Sequence, residues 1–107
     1  MDIKEINVEN GFTGDEALAY VKQVLFNSKK VCICIIHGYG SSGKGGVIRQ
    51  KVRSFLNAQL KNGKIKAVIN GEDFDVFNFK ALELKNKYKE LERLFRVCNH
   101  GVTVVEV

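Results

Sequence analysis

The sequence predicts a single α/β domain, a βαβαβ core followed by an inserted helix and a final strand, with a mixed sheet of about four strands sandwiched with its helices. Three observations carry this. Strand-like apolar runs alternate with helically spaced apolar residues as far as residue 71. The 107 residues suffice for one core and are too few for two. No repeat, low-complexity tract or proline interrupts them.

Each element has its own signal. Ile3, Ile6 and Val8 in a polar setting give a first strand stopping near Asn10-Gly11. Thr13 followed by Glu16 forms a capping box, in which each side chain bonds a backbone N–H at a helix start. Ala17, Leu18, Val21, Val24 and Leu25 continue that helix to about Asn27. Residues 31–36 (VCICII) are continuously apolar and rich in β-branched side chains, the pattern of a central strand buried on both faces. After a glycine-rich segment, Val47, Ile48, Val52, Phe55, Leu56 and Leu60 mark a second amphipathic helix. It closes at Asn62-Gly63, where glycine suits the left-handed position beyond a helix. Residues 65–69 form a third strand, and right-handed crossovers among the three predict a parallel core. Phe79, Leu82, Leu91, Leu94 and Phe95, among lysines and glutamates, mark a third helix within the charged insertion 75–97. Residues 102–107 (VTVVEV) form the last strand, after a turn at Asn99-His100-Gly101.

Composition narrows the function classes. With 45% hydrophobic and 27% charged residues and a mean hydropathy of −0.12, the chain reads as globular and not disordered. Its longest apolar run, residues 31–36, is far short of the roughly 20 residues a membrane span needs. Three cysteines, an odd number, and a start of Met1, Asp2, Lys4 and Glu5 without a signal-peptide pattern predict reduced thiols and a cytoplasmic location. Cys32 and Cys34 share one strand face, and with Cys98 alone elsewhere they read as core residues rather than zinc ligands. No metal and no cofactor are expected.

Charge is distributed unevenly. The net charge is +5, yet residues 17–71 hold ten lysines and arginines with no Asp or Glu. Such a segment attracts polyanions, of which nucleic acid is the commonest in the cytosol. Within it, His37-Gly38-Tyr39-Gly40-Ser41-Ser42-Gly43-Lys44-Gly45-Gly46 joins a strand to a helix, an arrangement that points backbone N–H groups and the helix dipole at an anion. Gly38, Gly40 and Gly43 fit the dinucleotide pattern G-x-G-x-x-G, but no acidic residue follows until Glu72. Gly38 to Lys44 fits the first seven positions of the Walker A loop, but Gly45 stands where Ser or Thr would hold magnesium. A generic phosphate-binding loop survives both eliminations. Arg49, Lys51 and Arg53 on the following helix would track a nucleic-acid backbone.

The string IIHGYGSSGKGGVIRQKVRSFL resembles the strand, His-Gly-x-Gly motif and helix of the Smr (small MutS-related) domain family. TGDEALAYVKQVL is similar to that family's first helix and GVTVVEV to its final strand, so the resemblance covers most of the chain except 75–97. It places His37, Gly38 and Gly40 on the family motif. It implies a fold like the C-terminal domain of translation initiation factor 3 and binding of DNA or RNA, with nicking or endonuclease activity in many members. It also implies a setting in repair, recombination control or mRNA cleavage, beside MutS-like proteins or ribosomes. Active members carry Leu-Asp-x-His at the end of the first strand. Here the segment reads Ile6-Asn7-Val8-Glu9-Asn10-Gly11, so the Asp and His positions fall on Asn7 and Glu9, or on Val8 and Asn10. The insertion 75–97 is also longer than the family usually carries.

Two site readings follow. The first is a binding domain that uses His37, Gly38, Tyr39, Gly40, Ser41, Ser42, Gly43 and Lys44 with Arg49, Lys51 and Arg53. The second is a nicking endonuclease whose acid/base groups are His37, His100 and Glu9, since an imidazole titrates near neutrality. A protein-interaction module docking through 75–97 is the alternative from another class.

Overall fold

The computed structural model describes residues 3–9, 11–28, 32–38, 44–75, 77–93 and 101–107, with the backbone alone at 44 and 45. Four strands, β1 (Ile3–Asn7), β2 (Cys32–Ile36), β3 (Ala67–Asn70) and β4 (Val102–Glu106), combine with three α-helices, α1 (Gly14–Phe26), α2 (Lys44–Lys61) and α3 (Phe79–Lys87).

Local chemistry sets the ends of the helices. The Thr13 hydroxyl accepts from the Glu16 N–H at 3.2 Å while the Glu16 carboxylate accepts from the Thr13 N–H at 2.9 Å, completing the expected capping box of α1. Gly63, at φ +73°, ends α2 in the left-handed conformation anticipated from Asn62-Gly63.

The sheet order is β1-β2-β4-β3. The first three strands run in one direction, as expected, but only β1 and β2 pair with each other, because β4 inserts antiparallel between β2 and β3. The physical reason lies in β4 itself, which is buried at every position and therefore takes the centre, leaving the less covered β3 at an edge.

Side-chain alternation builds two cores. Ile33, Ile35 and Val105 face α1 and α2, meeting Ala17, Val21, Ile48, Val52 and Leu56. Cys32, Cys34, Val102 and Val104 face the other way, onto Phe74, Ala81, Leu84, Tyr88 and Leu91. The third helix departs from expectation in phase and length. Its buried stripe is Ala81, Leu84, Tyr88 and Leu91, whereas Phe79 is 88% exposed. The helix stops at Lys87 because Tyr88 (φ −125°, ψ 87°) leaves helical geometry, and a 3-10 turn at Lys89–Leu91 keeps Leu91 in the core. Leu94 and Phe95 lie outside the described residues. Among the described residues, no helix is long and apolar enough to cross a membrane.

Parallel pairing of β1 with β2 and antiparallel pairing of β2 with β4 bring the ends of β1 and β2 beside the start of β4. The Val8 N–H donates to Ile36 O at 2.9 Å, and the N–H groups of His37 and Gly38 both donate to Gly101 O at 2.9 and 3.0 Å. These bonds fix the point at which the chain leaves β2 for the glycine-rich loop.

Candidate functional site

His37 continues the β2 alternation onto the α1 and α2 face and is fully buried. Its Nδ1 lies 3.0 Å from Gly38 O, and its Nε2 lies 2.8 Å from Thr103 Oγ1. A carbonyl oxygen only accepts, so Nδ1 carries the proton and Nε2 is the acceptor. The Thr103 hydroxyl then donates to Nε2, while its oxygen accepts from Arg53 Nε at 2.9 Å. Arg53 in turn donates from both terminal nitrogens to the Glu72 carboxylate, at 2.9 and 2.7 Å, and from one of them to Val102 O at 3.2 Å. The chain of donors therefore runs in one direction, from Arg53 through Thr103 to His37 and on to Gly38.

This arrangement corrects the expectation that His37 titrates near neutrality. Burial pushes its pKa down to about 4; the hydrogen bond to Gly38 opposes this, and the Arg53 and Arg49 guanidiniums add to it. At neutral pH the ring is uncharged, and both its nitrogens are committed to the protein.

Glu9 meets this corner from β1. It is exposed, and its backbone N–H donates to Asn7 Oδ1 at 2.9 Å, so Asn7 shapes the chain beyond the strand. Gly38 has φ +82°, and a Cβ there would lie 3.0 Å from Glu9 Cγ and 3.3 Å from Glu9 Oε1. Glycine is thus favoured by conformation, and a side chain here would also press on that of Glu9. The structure brings Glu9, His37 and Gly38 together. His100, Asn10, Tyr39, Gly40, Ser41, Ser42 and Gly43, together with Cys98 and the side chain of Lys44, lie outside the described residues.

The three basic residues of α2 have different environments. Arg53 is held in its bidentate pair with Glu72, where only 15% of its side chain is exposed, which removes it from the expected track of phosphate contacts. Lys51 pairs with Asp15 at 3.2 Å, and both groups are open to solvent. Arg49 has no ion pair among the described residues, and it lies close enough to His37 to lower its pKa. No acidic residue occupies the first turn of α2. Among the described residues, no group of three or more His, Cys, Asp or Glu could hold a metal ion. Cys32 and Cys34 are buried in the sheet, and burial raises their thiols to about 12 and about 11.

Sequence reasoning missed Thr103 and Glu72. Thr103 is the one polar residue in the run VTVV, and Glu72 is the first acid after the acid-free stretch, next to the end of β3. Those oddities are the available signals, but only the antiparallel insertion of β4 brings Thr103 within reach of His37.

The sequence model of one protein family, the Smr domain, matches residues 10–73, more than half of the chain. The match begins beyond β1 and ends at the 3-10 turn at Gly71–Asp73 that carries Glu72, and so leaves out β1, the charged insertion and β4. The comparisons with curated proteins and with solved structures gave no match.

Proposed function

The chain belongs to the Smr domain family, and from that membership we propose that it binds DNA or RNA by its phosphate backbone, at the junction of β2 and α2, without cleaving it efficiently. The observation that carries the reading is Arg49: a cation without an ion pair among the described residues, near the start of a helix with no acid in its first turn, at the end of the sheet where the glycine-rich loop begins. Backbone N–H groups of the loop from Gly38 to Lys44 and the α2 dipole would supply further contacts to phosphate. Lys51 would join them by exchanging its solvent-exposed partner Asp15 for a phosphate. Arg53, expected to contact phosphate, instead serves as a positioning residue.

Weak cleavage follows from the proton inventory. Metal-free phosphodiester cleavage needs one group to take a proton and another to give one. His37 is buried, neutral and doubly bonded, which leaves Glu9 as the titratable side chain beside Gly38 among the described residues. Among the described residues, then, one carboxylate stands where an acid/base pair is needed.

The test uses labelled single- and double-stranded DNA and RNA, assayed for binding across a salt series and for cleavage with and without EDTA. Affinity should fall steeply with salt, and Arg49→Gln should weaken binding similarly across sequences while reducing the logarithmic salt slope by about 1. Salt-insensitive binding, or binding unchanged in Arg49→Gln, would contradict the assignment of the interface. Robust cleavage by the wild-type protein, lost in Glu9→Gln, would replace it with the nuclease reading.

A further inference from the structure

The opposite end of the domain carries a second recessed surface. The C-terminal halves of α1 and α2, with Lys64, Ile65 and Val107, line a groove of about 490 Å³. Its walls and floor are the side chains of Leu25, Phe55, Ile65 and Val107. Phe26 stands on its rim with 85% of its surface exposed, although it is a large apolar residue at the end of a helix that turns Ala17, Val21 and Val24 inward. Lys22 and Lys64 flank the opening, and the Lys22 ammonium lies 5.2 Å from the centre of the Phe55 ring. None of the lining side chains is acidic.

From this combination we infer that the groove docks a short acidic peptide segment of a protein partner, one that inserts an aromatic or leucine anchor between Phe26 and Phe55 and presents carboxylates to Lys22 and Lys64. Anchors of this kind are energetically dominant when an apolar pocket surrounds them and charges border it. The apolar floor selects against a nucleic-acid backbone, which would leave Leu25, Ile65 and Val107 uncovered. The charge of the rim selects against a second copy of the same groove, because two copies face to face would set lysine against lysine. The site lies at the end of β4 opposite to His37 and does not depend on nucleic-acid binding. It is also distinct from the insertion 75–97, whose charged helix covers the other face of the sheet.

The experiment uses fluorescein-labelled peptides on the wild-type chain, read by anisotropy. One peptide carries a central Phe flanked by Asp and Glu, a second replaces that Phe by Ser, and a third replaces the acids by Lys. The acidic Phe peptide should bind saturably in the micromolar range, and each control peptide should lose at least about tenfold in affinity. Phe26→Ser, a change at an exposed position, should weaken the acidic Phe peptide by about tenfold while leaving nucleic-acid affinity and thermal stability at wild-type values. Lys64→Glu should weaken the acidic peptide and improve the lysine peptide. Equal affinity for all three peptides, or no binding up to roughly millimolar peptide, would overturn the proposal. So would concentration-dependent dimerisation abolished by Phe26→Ser, which would make a second copy the occupant, or a nucleic-acid crosslink mapped to Phe26.

Discussion

Each face of the sheet buries a polar group, and the two faces do so in opposite ways. On the α1 and α2 face, His37, Thr103, Arg53 and Glu72 come from β2, β4, α2 and the turn after β3, and together they form a closed set of directed hydrogen bonds. On the α3 face, Glu106 has only 5% of its side chain exposed but is met by Lys87 at 2.8 Å and Lys80 at 3.8 Å, each with more than 40% of its side chain exposed. The first set ties four elements together at the loop end of the sheet. The second lets a carboxylate reach two mobile, hydrated ammoniums at the other end of β4. A buried polar group is therefore no mark of function by itself; what distinguishes the His37 set is that each member fixes the next, down to the carbonyl of Gly38.

The strongest break in that contrast is Arg53→Met. It removes the hydrogen bonds that Arg53 donates to the Glu72 carboxylate, Thr103 and the Val102 carbonyl, and stability should fall by about 3–5 kcal/mol in denaturant titrations. Nucleic-acid affinity should fall too, even at temperatures where the variant is folded, because the loop loses its anchor. An Arg53→Met protein of wild-type stability would show that the set is not cohesive.

Next in size is a pH effect with a definite sign. His37 has a folded pKa of about 4 against an ordinary 6.5, so the unfolded chain takes up its proton first as pH falls. Its contribution is fully present above about 6.5 and is lost progressively down to about 4, a difference of roughly 3 kcal/mol. Carboxylates titrate in the lower part of that window, so the comparison is between wild type and His37→Gln. The stability difference between the two should narrow as pH falls from 6.5 to 4, and a constant difference would contradict a neutral buried ring.

These two expectations concern residues whose legibility in the sequence differs. The capping box at Thr13 and Glu16, the central apolar strand and the glycine after α2 were readable because local chemistry decides them. The pairing of β4 between β2 and β3 was not, since strand order depends on contacts distant in the chain, and Thr103 was lost with it. His37 was found from its place at the end of an apolar strand before glycines. Its burial and its hydrogen-bond partners, unlike its position, cannot be read from HGYG. The phase of α3 was missed for a related reason: Phe79 and Ala81 compete for the buried face, and the smaller residue fits closer to the sheet.

A smaller effect tests the corner between β1 and β2. Gly38→Ala forces a side chain into left-handed backbone and against Glu9, and should cost about 1–2 kcal/mol from the backbone alone. Adding Glu9→Ala should relieve the steric part and leave the conformational part, so the double variant should be more stable than Gly38→Ala by thermal melting. Full recovery would mean that only the contact with Glu9 demands glycine.

The smallest change is expected on the opposite face. Glu106→Gln keeps the shape and a hydrogen bond to Lys87, and should lower the melting temperature less than Arg53→Met or Gly38→Ala. Because both lysines are hydrated, that loss should shrink in high salt, whereas the loss in Arg53→Met should not. Equal salt sensitivity of the two would erase the distinction between the faces.

The central claim is that His37 is a neutral scaffold at the start of the glycine-rich loop rather than a proton-transfer group. Long-range proton–nitrogen NMR of the imidazole, followed through a pH titration with and without bound nucleic acid, tests it most directly. The account expects the Nδ1–H tautomer in both states and no protonation until the pH approaches about 4. A midpoint near 6.5, or a switch to the Nε2–H tautomer when nucleic acid binds, would contradict it and return His37 to the acid–base role.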